Sequence, residues 1–177
     1  MKETGIVRRI DELGRVVIPK EIRRTMHIKE GDPLEIFTER ETLLLKKYSP
    51  MTIIEDIIKN VADSLYTLTE MNVVVCGTDK VLAARGKGAK DLLDKDISEE
   101  LSAAIADRRT VFSDDGGKED LPVTADGRGF KKQIIVPLIS EGDALGALVL
   151  GDDYEQNIDA GFLKMTMLAA EFIGRQA

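Results

Sequence analysis

The chain has 177 residues with 25 Lys+Arg against 32 Asp+Glu, one Cys, one His and no Trp, enough for one ordinary domain or two small ones. One thiol excludes an internal disulfide and a Cys-rich zinc module, and one imidazole excludes a multi-histidine metal site, so no metal, no cofactor and no metalloenzyme chemistry are expected. Apolar residues make up 43% and are broken by charge throughout, so no run nears the roughly 20 residues of a membrane helix, and the start MKETGIVRR lacks a signal peptide's apolar region. A reduced, cytoplasmic protein with no membrane partner is the expectation.

In chain order, short β-rich runs are predicted at residues 5–10, 15–18, 34–38 and 43–47. They are separated by the turn Asp11-Glu12-Leu13-Gly14, a short helix started by Pro19, and residues 39–42. A boundary follows at Tyr48-Ser49-Pro50, dividing the chain into domains 1–50 and 51–177. Residues 52–68 have helical periodicity, with Ile54, Ile57, Ile58, Val61, Leu65 and Leu68 on one stripe. Strands are predicted at 72–76 and 81–84, a helix at 98–108, a mobile loop at 113–129, strands at 133–139 and 144–150, and a closing helix at 158–175. Helices around an antiparallel sheet suit that order, an α+β body.

Charge is unevenly spread. Residues 1–29 hold eight basic and four acidic side chains, a balance of +4 that leaves −11 on the rest. Such asymmetry marks a nucleic-acid-binding end on an acidic body, although a merely solvated basic end has the same composition.

The first 48 residues are too few to bury a self-sufficient core, since small chains hide only about 60% of their surface or less. Yet Val16-Val17-Ile18 and Leu43-Leu44-Leu45 are apolar on both strand faces. A second copy of the segment would cover them in an obligate dimer; the alternative cover is the chain's own second domain.

Within the basic end, a helical wheel through residues 19–27 is apolar on one side and basic on the other. From Ile22, Met26 lies at about 40°, while Arg23, His27, Lys20 and Arg24 span roughly 100° to 200°. If residues 11–14 form a four-residue turn with Ile10 opposite Arg15, Arg8 shares a sheet face with Arg15. Two neighbouring arginines repel unless an anion neutralises them. On that register Arg8, Arg15, Arg23 and Arg24 converge on phosphates and groove edges. His27 adds a titratable group beside them, with an ordinary surface role favoured.

The run KETGIVRRIDELGRVVIP from Lys2, followed by EIRRT from Glu21 and EGDPLEIF from Glu30, resembles the AbrB family of bacterial transition-state regulators, almost without gaps to Tyr48. The resemblance implies a swapped-hairpin dimer, with hairpins exchanged into one β-barrel that carries a short helix. It also implies double-stranded DNA as partner, held by Arg8, Arg15, Arg23 and Arg24, with Arg9 and Lys2 as backbone contacts. Some strand neighbours would then come from the other chain.

The acidic body, with Gly146-Ala-Leu-Val-Leu beside the closing helix, resembles a GAF domain, a type that often senses small molecules. The combined order resembles sporulation regulators of endospore-forming bacteria and implies a regulator of forespore genes. It also implies a homotetramer in which GAF-flanking helices bundle. Apolar width supports such bundling. Ile158, Phe162, Met165, Ala169 and Phe172 form one stripe of the closing helix, with Leu163, Met167, Ala170 and Gly174 beside it.

Signal-receiving residues are less legible. Cys76 ends the apolar run Val73-Val74-Val75 and reads as inert core. Arg85-Gly86-Lys87-Gly88-Ala89-Lys90 has the composition of an anion-wrapping loop but lacks the ending of a P-loop. The ligand-binding residues are unknown, and no cyclic-nucleotide pattern is present. A transcription regulator is therefore the first expectation, and an antitoxin-type protein-binding module the second. A GAF-linked enzyme is disfavoured because no spacing assembles a nucleophile or an acid–base pair.

Overall fold

The computed structural model describes residues 4–26, 28, 30–113, 121–153 and 158–177. It divides into two compact units, Met1–Tyr48 and Ser49–Ala177.

In the front unit, helix α1 (Lys20–Thr25) precedes a hairpin of β1 (Leu34–Glu39) and β2 (Thr42–Lys47). The hairpin runs from Leu34 opposite Lys47 to Glu39 opposite Thr42. Its two-residue turn places Arg40 at φ 51°, a left-handed conformation of the kind that matches strand twist in tight hairpins. Tyr48 N–H donates to the Pro33 carbonyl at 3.0 Å, and Lys47 pairs with Asp32 at 3.2 Å, closing the open end.

Two expectations are corrected here. Residues 5–10 and 15–18 form no strand within the chain. A lone two-stranded ribbon with both faces wet is marginal, so the β-propensity of Val16-Val17-Ile18 has nothing to pair with in one copy. Pro19 is the N-cap of α1 and stands just before its first residue, with ψ 148° that helix geometry does not allow.

The rear unit comprises α2 (Pro50–Ile53), α3 (Glu55–Thr69), β3 (Asn72–Cys76), β4 (Val81–Arg85), a 3-10 turn (Lys90–Leu92), α4 (Glu99–Ala106), β5 (Val111–Ser113), β6 (Lys132–Ser140), β7 (Asp143–Asp152) and α5 (Ala160–Gln176). The five strands form an antiparallel sheet in the order β4-β3-β7-β6-β5. Local chemistry sets the helix starts. The Ser98 hydroxyl accepts Leu101 N–H at 2.9 Å ahead of α4, and Asp159 Oδ1 accepts the amides of Gly161 and Phe162 ahead of α5.

Both sheet faces are covered, which explains why Asn72–Cys76 is buried throughout. Val73, Val75, Leu148 and Leu150 face a core roofed by Ile58, Ala62 and Leu65 of α3 and Ala170 and Ile173 of α5. Val74, Cys76, Ala147 and Val149 face a second core closed by Leu101, Ala104 and Ile105 of α4.

The expected mobile loop is corrected in part. Residues 111–113 are a strand, and residues 114–120 lie outside the described residues. Residues 121–129 are tied down: Leu121, Val123 and Thr124 are buried, Thr124 bridges Ile97, and Val123 N–H donates to the Arg128 carbonyl at 2.7 Å. Alternating small apolar residues, invisible as a pattern among the glycines and acids, anchor this segment to the second core.

Candidate nucleic-acid interface

The turn at the tip of the basic end is built by Asp11. Its Oδ1 accepts the backbone N–H of Leu13 at 3.0 Å and of Arg15 at 2.8 Å, and its Oδ2 accepts Arg15 Nε–H at 2.8 Å. Asp11 N–H donates to the Arg15 carbonyl at 3.1 Å, and Gly14 N–H to the Asp11 carbonyl at 3.0 Å. The turn therefore closes on the pair Asp11 and Arg15, a three-residue loop whose last member, Gly14, sits at φ 76°. This corrects the expected register, which paired Ile10 with Arg15 and set Arg8 on the same face. The Asp side chain supplies acceptors that strand counting does not foresee. The Arg15 amide and then its guanidinium hold the Asp11 carboxyl below its ordinary pKa, so it remains an anion.

Arg8, Arg9, Arg15, Arg23 and Arg24 are all exposed. The last two occupy the final turn of α1 beside exposed Lys20, while Ile18 and Ile22 are half-buried and Pro19 is buried. The predicted division of α1 into a basic and an apolar side is thus present. Met26, on the apolar arc, is exposed. Ile28 N–H bonds the Arg23 carbonyl at 2.8 Å and ends the helix. Lys2, and also His27, lie outside the described residues.

The front unit lacks a core of its own. Among its described residues only Pro19 is buried, whereas Val7 is 89% exposed, Val17 73%, Ile10 69% and Leu43 62%. Such apolar surface on a charged unit calls for a covering partner.

The rear unit has a groove of about 560 Å³ between α3 and α5, walled by Ile57, Val61, Leu68, Met165, Leu168 and Phe172. Leu68 is 74% exposed and Leu168 70%. Cys76 is fully buried with Sγ 3.5 Å from the Ala147 carbonyl, and burial pushes its thiol up to about 12. In the Arg85–Lys90 loop the Gly88 amide and the Arg85 guanidinium are engaged internally, while Lys87 and Lys90 are exposed. Asn72 Oδ1 takes the Gly88 amide at 2.9 Å, and Asp63 takes the Arg85 guanidinium.

Residues 54–177 match the family described as stage V sporulation protein T C-terminal, transcription factor. The chain is 43% identical to stage V sporulation protein T of Bacillus subtilis (strain 168) over 177 residues, covering 99% of this chain and 98% of that protein. The chain belongs to the stage V sporulation protein T family. Its front, residues 7–52, also matches the family described as antidote-toxin recognition MazE, bacterial antitoxin. The solution structure of the N-terminal DNA recognition domain of the Bacillus subtilis transition-state regulator AbrB is 64% identical over 28% of this chain and 94% of that one, with TM-score 0.25, so that likeness is one of sequence. The rear unit is similar to the cofactor-binding GAF domain of the nutrient sensor CodY from Clostridium difficile, at 23% identity and TM-score 0.50 over 66% of this chain and 81% of that one, which shows the fold. Within this stage V sporulation protein T family member, an AbrB-type front is joined to a GAF-like rear, as the sequence resemblances implied.

Two features of the family member go beyond the sequence expectations. Asp11 does more than occupy the turn: Asp followed three residues later by Gly is the signature of a turn that hydrogen-bonds its own backbone, and here the same carboxylate also holds the Arg15 guanidinium. The closing helix buries Thr166, Ala170, Ile173 and Gly174 on the sheet and leaves Met165, Leu168, Ala169 and Phe172 to the groove. The single wide stripe read from the sequence is therefore two faces.

Proposed function

We propose that this chain is a sporulation transcription factor, not an enzyme, that binds double-stranded DNA through residues 1–50 and assembles and receives signals through residues 51–177. The carrying observation is the front unit itself, where Arg8, Arg9, Arg15, Arg23 and Arg24 are exposed on a segment that also leaves Val7, Ile10, Val17 and Leu43 uncovered. Two copies exchanging hairpins would bury Val7, Ile10, Val17 and Leu43 and give residues 5–10 and 15–18 the strand partners they lack. The AbrB-like sequence supports that arrangement. Arg8, Arg15, Arg23 and Arg24, with Lys2 and Arg9 on the flanks, are the DNA contacts. Pairing of the α3–α5 grooves from two dimers makes the homotetramer, and a small molecule of unassigned chemistry is the signal. No helix among the described residues is long and apolar enough to cross a membrane, and the site of action is the cytoplasm of the forespore.

Fluorescence anisotropy of a labelled duplex against the full chain tests this reading. Affinity falls by on the order of 10³ or more between about 50 and 200 mM salt if several guanidinium groups per dimer displace counterions. A flat response removes the electrostatic clamp. The MazE match favours a second reading, a toxin-binding module, for which a small toxin co-purifying with the front unit and displaced by no DNA is the signature.

A further inference from the structure

We infer that Asp11 is the positioning residue of the interface, holding the Arg15 guanidinium by Nε so that its terminal nitrogens face a base edge of duplex DNA as a fork. The inference rests on the DNA-binding reading above and deepens it.

An exposed arginine samples many rotamers, and the Arg15 side chain is 70% exposed. Asp11 restricts it. The carboxylate is itself fixed, because Oδ1 accepts two turn amides while Oδ2 accepts Arg15 Nε–H. Backbone turn and guanidinium are thereby tied to one side chain. Among the described residues Nη1 and Nη2 of Arg15 have no partner. A guanidinium engaged at Nε presents the end-on pair of donors, the geometry that matches guanine O6 and N7.

The carboxylate also has a cost at a polyanion. Asp11 repels phosphates wherever the tip lies, so it weakens sequence-independent binding while ordering the group that reads bases. Selectivity rises and general affinity falls. A residue that only shaped the turn would have no such paired effect.

Asp11→Asn separates the two roles. The amide oxygen still accepts the Leu13 and Arg15 N–H groups, whereas the NH2 that replaces Oδ2 has nothing to offer Nε–H. The experiment uses the full chain and two duplexes: one selected by the wild-type protein from a random pool, the other a scramble of the same composition. The ratio of the two Kd values is read for wild type, Asp11→Asn, Arg15→Ala and the double variant. Asp11→Asn is expected to lower selectivity by roughly 5- to 30-fold, within the range of one base contact, while tightening binding to the scramble. In the Arg15→Ala background the same change leaves selectivity unaltered.

If Arg15→Ala reduces selectivity but Asp11→Asn does not, positioning by Asp11 is wrong and the DNA reading stands. If Asp11→Asn lowers selectivity equally with and without Arg15, its action is on the turn and the inference also fails. If Arg15→Ala leaves both affinities unchanged, the placement of Arg15 at the DNA fails as well.

Discussion

Gly174 in the last turn of α5 lies against the backbone carbonyl of Ile139 in β6, so close that a Cβ on Gly174 would sit 3.0 Å from the carbonyl carbon and overlap its oxygen. The contact seats the helix on the sheet. Gly174→Ala would gain up to about 1 kcal/mol of helix propensity but must push the helix off a rigid strand, so a net loss of about 1–3 kcal/mol is expected. Urea unfolding of the rear unit checks this. An unchanged midpoint would mean that α5 slides freely.

Arg23 and Arg24 are exposed on α1 and touch no described acid. Arg23→Ala and Arg24→Ala should each weaken duplex binding by about 1–3 kcal/mol while leaving the thermal midpoint in place. Undiminished affinity in both variants would move the interface elsewhere on the front unit.

A fragment of residues 1–50 should be dimeric in light scattering, because Val7 and Val17 cannot remain 89% and 73% exposed in a stable fold. A folded monomer with dispersed amide resonances contradicts the shared core.

Leu168, 70% exposed on the groove between α3 and α5, contributes little to the fold of one copy. Leu168→Glu should therefore halve the assembled mass in native mass spectrometry with circular dichroism unaltered. Retention of the wild-type mass would show that the groove is not the joint.

Cys76 predicts an alkaline weakness. Burial raises its folded pKa to about 12, whereas an unfolded thiol ionises near about 8.5. The unfolded chain then releases a proton that the folded one keeps, so the contribution is whole below about pH 8.5 and is lost as pH rises toward 12, by up to about 1.4 kcal/mol per pH unit. Stability of Cys76→Ala, measured by urea unfolding from pH 8 to 10, should decline less steeply than that of the wild type. Parallel declines would assign the alkaline loss to other groups.

Much of the rear unit was legible because its signals are local. The run Val73-Val74-Val75 is a β-branched strand signal between Asn72 and Cys76, Ser98 precedes acids, and the β6–β7 turn is marked by Glu141-Gly142; each reflects hydrogen bonding or side-chain packing within a few residues. The front unit's basic residues were equally visible, since charge and exposure go together. Two things were decided only by tertiary structure. Residues 121–129 turned from loop to anchored segment because Leu121 and Val123 find a distant core. The face of α5 that meets the sheet is chosen by Gly174, where the absence of a side chain permits close approach to Ile139. The pairing of Asp11 with Arg15 is different in kind: it lies within five residues, and it shifts the register by one because a single carboxylate captures three N–H donors, a local preference that strand counting leaves out. Sequence periodicity states which residues avoid water; which surface receives them depends on contacts between segments far apart in the chain.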